Sequence, residues 1–173
     1  APTATISPSN GSTDVARDST ITITFNEAVR LLSDAALTNA DLANLITLKD
    51  TNASGADIPF SATINGNVIT ITPTSTFAYS QQVYVAIDGT EVEDTSVNAG
   101  TVSSSTFTVV ADTTAPTAQI SPSNGSTDVA EDRTITISFS EAVRLLDDTA
   151  LTDENVDALI TLKDTDGDGT GIP

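Results

Sequence analysis

The sequence contains no cysteine, no histidine, no tryptophan and no methionine. Without cysteine, neither a disulfide nor a thiolate metal site can brace the chain. Without histidine it lacks the commonest general base, the commonest transition-metal ligand and most nucleophile–base pairings. Aromatic residues are scarce too, five Phe and two Tyr in 173 residues, so a core has to be built from Val, Ile, Leu and Ala. Lys and Arg number 6 against 24 Asp and Glu, a net charge of −18. A field of that sign repels nucleic acid and anionic membranes and attracts cations. No apolar run approaches the roughly 20 residues that a spanning helix needs, which argues against membrane insertion. No signal peptide is visible, so the piece is expected to be mature or cut from a longer chain.

Ser and Thr are abundant and alternate with β-branched residues, a composition suited to pleated, half-buried surfaces. The dominant feature is repetition. ISPSNGSTDVA stands at 6–16 and again at 120–130. Sliding the sequence by 114 places lays 1–59 on 115–173 without a gap, with 41 of 59 positions identical. TITI, EAVRLL and LITLKDT all recur. A fixed period defines the folding unit. This unit is slightly longer than the roughly 100 residues of a small two-sheet domain.

Within one unit, strands are expected at 3–6 and at 20–25, the latter with Ile21, Ile23 and Phe25 on one face. A short helix over 38–44, opened by a capping-type Thr, leads into a third strand at 45–48. Ile58, Phe60, Ala62 and Ile64 alternate, and Asn65 with Gly66 signals a hairpin into 68–72. Val83, Val85 and Ile87 mark a sixth strand and 106–110 a seventh. About seven short alternating strands predict an all-β, two-sheet sandwich, with a barrel as the lesser alternative. The domains are then 1–111, a linker at 112–116 stiffened by Pro116, and 117–173 as the first half of a second copy. The other frame would close 60–173 and leave 1–59 spare. Either way one half lacks its mate, through truncation of a longer array or through strand exchange with another copy.

Three stretches, APTATISPSNGSTDVA, ITITFNEAV and the DTTAP linker, carry a resemblance to the bacterial immunoglobulin-like repeats of large surface proteins. The chain resembles above all the extender regions of RTX-type and biofilm adhesins. The resemblance implies an immunoglobulin-like β-sandwich in tandem, its second copy incomplete, secreted to the cell surface. Its role there would be a structural spacer whose partners are neighbouring repeats, with calcium stiffening the joints. One departure stands out: where such repeats place an inward Tyr, this sequence has Val83, and Tyr84 falls one step later.

The acidic residues bear on calcium separately. Traced from pole to pole, the loops after strands two and six both return to the N-terminal pole. That gathers Glu27 with Asp88, Glu91, Glu93 and Asp94, and Asn98 nearby. Hard oxygen ligands of this kind suit Ca²⁺, which takes six to eight. At the joint, Asp112 would meet Glu141, the counterpart of Glu27, while Asp14 and Asp18 approach from the far pole. Locally, DTDGDG places Asp164, Asp166 and Asp168 in the opening pattern of a calcium loop. It reads equally as a simple Asp-Gly turn, and the first copy has DTNASG there. Arg30, among several acids, is expected in a solvated ion pair.

Two other function classes stay open at this point: a sugar- or protein-binding module using its pole loops, and a fibre subunit joined by strand exchange. Paired carboxylates could also serve a glycosidase, but no other catalytic group accompanies them, and the chain does not read as an enzyme.

Overall fold

The computed structural model describes residues 1–164, 170 and 171. It divides into two compact units, Ala1–Asp112 and Thr113–Pro173.

The first unit is a sandwich of two antiparallel sheets. Its elements are β1 (Ala4–Ser7), β2 (Ile21–Phe25), β3 (Arg30–Leu31), α1 (Leu42–Leu45), β4 (Ile46–Asp50), β5 (Phe60–Asn65), β6 (Val68–Pro73), β7 (Gln82–Ile87), β8 (Val92–Glu93) and β9 (Ser103–Thr108). One sheet runs β1-β2-β6-β5 and the other β4-β7-β9, with β3 and β8 forming a separate pair. Alternation in β2 turns Ile21, Ile23 and Phe25 inward while Thr22 and Thr24 face away. They meet Ile69 and Ile71 of β6, Val83, Val85 and Ile87 of β7, and Phe107 of β9 in one continuous core. Each such side chain, once fully buried, contributes about 1.5–3 kcal/mol. The all-β immunoglobulin-like sandwich is thus what the alternating pattern builds.

Several local expectations shift. Nine strands form in this unit, not seven, because β3 and β8 are two residues each and too short to show a period. The hairpin loop is Gly66 and Asn67, one place later than the dipeptide signal, since Asn65 pairs with Val68. Gly66 adopts φ +63°, the first loop position of a type II′ turn. Helix α1 starts at Leu42, because Thr38 donates through both its backbone N–H and its hydroxyl to Asp41. The last strand begins earlier than expected, since Ser105, though buried, satisfies its hydroxyl on the Pro8 carbonyl at 2.8 Å. Val83 points into the core and Tyr84 lies half-buried on the opposite side of β7.

The repeated phrase at 6–16 crosses from one sheet to the other and bonds to β9 along its length. Gly11 N–H donates to Thr106 O and Thr106 N–H to Asn10 Oδ1, at 2.7 and 2.9 Å. Thr108 N–H then donates to Ser12 O, Val15 N–H to Thr108 O and Val110 N–H to Val15 O. Gly11 at φ +82° makes the reversal. The phrase therefore recurs because it is the seam that closes the sandwich.

The second unit contains β10 (Ala118–Ser121), β11 (Thr136–Phe139) and α2 (Asp153–Val156), followed by a 3₁₀ turn at Asp157–Leu159. The pairing of β10 with β11 repeats that of β1 with β2, Ala118 opposite Phe139 as Ala4 is opposite Phe25. Thr152 and Asn155 make a complete capping box, so the capping Thr works here and not in the first copy. Of the three strands expected in this half, two form. In the first unit β4 has β7 as its partner, and the described residues of the second unit hold no such strand.

The two copies give a controlled comparison. Ile23 is fully buried, whereas its counterpart Ile137 is 38% exposed. Ile23→Ala is expected to lower the urea stability of the first unit by about 2–5 kcal/mol. Ile137→Ala should leave that transition unmoved, as followed by far-UV circular dichroism.

Candidate functional site

The N-terminal pole of the first unit holds most of the carboxylates singled out above. It is built by the turn after β2, by the loop from β7 through β8, and by residues 1–3. Thr3 and Asn26 lock the first two together: Thr3 N–H donates to Asn26 Oδ1 at 2.7 Å and Asn26 N–H to Thr3 O at 3.0 Å. Close packing at Gly89 and Gly100 completes the pole. A Cβ on Gly89 would run into the Thr101 carbonyl, and one on Gly100 would meet the Gly89 and Pro2 carbonyls.

Each carboxylate has a distinct assignment. Asp88 caps the 3₁₀ turn Gly89–Glu91, accepting from Thr90 N–H at 3.1 Å and the Thr90 hydroxyl at 2.6 Å. Glu91 is exposed. Glu93 is buried and belongs to an ion pair: Arg30, directly opposite across β3 and β8, approaches it through Nε at 3.1 Å and Nη2 at 3.0 Å. Arg30 also holds Asp34 at 2.6 Å. This corrects two expectations, since Glu93 is not turned toward the pole surface and the Arg30 pair is a half-buried tie, not a solvated one.

Asp94 is only 5% exposed. It accepts from Ser96 N–H at 2.8 Å, Asn98 N–H at 3.0 Å and the Asn98 side-chain amide at 2.8 Å. The Ala1 ammonium lies 3.5 Å from Asp94 and 3.8 Å from Glu27. The Asn98 backbone N–H and side-chain amide, helped by Ser96 and the ammonium, outweigh burial and hold the Asp94 carboxyl at about 2.

Of the five carboxylates expected at this pole, Glu27 and Asp94 therefore meet at one cationic group, and the other three do not join them. Among the described residues no three acidic groups converge on one point. The pole alone does not offer the six to eight oxygens that calcium takes. Elsewhere, Asp14 accepts from the Thr13 hydroxyl at 3.2 Å in a left-handed conformation, φ +57°. Asp18 is exposed beside Arg17 and 72–76 in a shallow groove. Asp112 ends the first unit and Glu141 sits half-buried after β11 in the second. Asp164 closes a turn on Thr170, accepting from its N–H at 2.7 Å. Asp166 and Asp168 lie outside the described residues.

The Arg30–Glu93 tie escaped sequence reading, because EAVRLL and EVED lie 63 residues apart with no periodic signal between them. The Arg17 guanidinium was missed similarly; it lies over the Tyr79 ring, 4.2 Å from its centre, and its Nε donates to Phe77 O. One face of the most exposed aromatic is thereby covered.

Asp94 gives a pH prediction. Its folded carboxyl titrates at about 2 against an ordinary 3.8, so its contribution is complete above pH 4 and lost as pH falls toward 2. The thermal midpoint of the wild type is expected to drop across that interval. Asp94→Ala should start lower and fall less steeply there.

The family model of the bacterial Ig-like domain matches the chain twice, over residues 1–109 and 112–173. No curated protein matches it. Among solved structures, the N-terminal part of the bacterial S-layer protein SbsC shares 15% identity at a TM-score of 0.42, over 69% of this chain and 26% of that one. Domains 1–6 of the SbsC surface-layer protein give 15% and 0.41, over 69% and 15%. CopC from Methylosinus trichosporium OB3b gives 13% and 0.39, over 62% and 90%. This chain thus spans about a quarter of the first S-layer chain it matches, and likenesses this distant carry no argument about function.

Proposed function

Because the chain belongs to the bacterial Ig-like domain family, we propose that it is a spacer: a tandem structural module of a secreted or cell-surface adhesin. The observation that carries this reading is the gapless repeat, two copies of one domain separated by a short linker with Pro116. A linker that fixes φ and lacks a donor is a semi-rigid spacer in itself. The reading is structural and not catalytic, in keeping with a sequence without His or Cys. A sugar-binding module finds less support, since Arg17 covers one face of Tyr79.

The finer part of the proposal is calcium at the joints. Glu27 and Asp94 already share one cationic neighbour, the Ala1 nitrogen. In the second copy Ala115 occupies the Ala1 position, Glu141 that of Glu27, and Asp112 precedes Ala115 by three residues. Sequence spacing thus adds a linker carboxylate to the pair, and a joint is where a fuller oxygen set would assemble. A bound divalent ion would offset the repulsion in a chain of net charge −18 and stiffen the array.

The test is thermal unfolding with small-angle scattering, in EDTA and in millimolar Ca²⁺. Ion at 100 times its dissociation constant is expected to add about 2.7 kcal/mol per site and to narrow the spread of end-to-end distances. Glu27→Gln with Asp94→Asn should abolish the gain. Identical curves in both buffers would remove calcium from the proposal, and a chain that stays compact in scattering would remove the spacer role.

A further inference from the structure

The second unit presents two surfaces that the first unit keeps covered. The first surface is apolar. Ile135, Ile137 and Phe139 of the β11 region, with Val156, Leu159 and Leu162, line a trough of ≈ 390 Å³. Their counterparts in the first unit are Ile21, Ile23, Phe25, Leu42, Leu45 and Leu48, every one buried. What buries them is contributed largely by residues after Phe60: Ile69, Ile71, Val83, Val85, Ile87 and Phe107.

The second surface is a ladder of hydrogen-bonding groups. The phrase at 120–130 keeps the backbone of 6–16, with Gly125 at φ +79° against +82° for Gly11, and Asp128 at +56° against +57° for Asp14. Its internal bond is kept as well, Ser126 N–H to Ser123 O at 3.1 Å against 3.0 Å for Ser12 to Ser9. In the first unit this shape is bonded to β9. In the second, Pro122, Ser126, Asp128 and Arg133 line a groove of ≈ 400 Å³. One occupant would satisfy both surfaces.

We propose that the second unit is a receptor face for the second half of another repeat of this family. The occupant is a polypeptide with the pattern of 60–110: a hairpin to extend β11, a β7-like strand to cover the trough, and a β9-like strand to bond along 120–130. Recognition is by strand addition, backbone bonds giving affinity and alternate side chains giving register.

The chain's own 60–110 cannot serve both halves. In a closed unit Pro2 packs at Gly100 and Pro8 at Ser105, so the strand start lies level with Gly100. From there to Val110 is ten steps, about 33 Å at 3.3 Å each. The seven steps from Val110 to Thr117 reach about 25 Å at most. A second copy of the same face is also a poor match, since two troughs pressed together would leave the 120–130 ladder unmatched.

The test uses the full ¹⁵N-labelled chain and an unlabelled peptide of residues 60–111. One-to-one binding is expected, with at least tenfold slower amide exchange in β10, β11 and 123–129. Ile137→Asp, and separately Asn124→Ala, should weaken binding at least tenfold with the spectrum of the first unit unchanged. A peptide carrying Val83→Asp and Val85→Asp should not bind. As a second arm, the segment is appended after Pro173 through a cleavable linker, and after cutting it is expected to co-elute with the chain. Release on cutting, equal protection by the Asp-bearing peptide, or a dimer of the chain alone with those amides already protected would each overturn the proposal.

Discussion

The structure depends on two apolar faces covering each other, neither of which one half of the repeat can make. Residues 1–59 supply β1, β2 and β4, and residues 60–111 supply β5, β6, β7 and β9, yet each sheet draws strands from both halves. β2 pairs with β6, and β7 lies between β4 and β9. Ordering a residue costs about 1–2 kcal/mol in backbone entropy, and only burial shared between the sheets offsets that. The second unit illustrates the converse, with β10 and β11 paired in the same register but with Ile137 and Phe139 left exposed.

The acidity of the chain is spent mainly on local backbone. Asp88 accepts from Thr90 N–H, Asp94 from Ser96 N–H and Asp147 from Thr149 N–H, each two residues on. These are Asx turns, in which a short carboxylate mimics a carbonyl and fixes a bend. Their bonds to Asn98 and Thr149 hold the Asp94 and Asp147 carboxyls below the usual range. A loop-rich sandwich without disulfides gains its corners this way. Such use leaves fewer carboxylates turned outward than the composition implies, which is why a count of acids overstates the ligand set at the pole.

The sandwich was legible because alternation of apolar and polar residues is a strong signal where both faces of a strand differ, as in Ile21, Ile23 and Phe25. The repeat made the unit boundary visible without any structure. Two-residue strands were not legible, since Arg30, Leu31, Val92 and Glu93 carry no period. Nor was the destination of Glu93, which depends on Arg30 standing opposite it in space. Placing acids at a pole by strand counting was sound for Glu27 and Asp94. It could not say which oxygens would be consumed by their own loops, because that is decided by backbone N–H groups a few residues away.

The seam between 10–15 and β9 has a mechanical side. Val15 and Val109 are partners in a parallel bridge, so the first and last stretches of the domain run side by side in one direction. Tension on the two ends drags those stretches past each other lengthwise. Bonds from Gly11, Val15, Thr108 and Val110 then share the load at once instead of parting singly like a zip. Forced opening is governed by the barrier along that path and not by equilibrium stability. A domain of modest thermodynamic strength can thereby resist a steady pull.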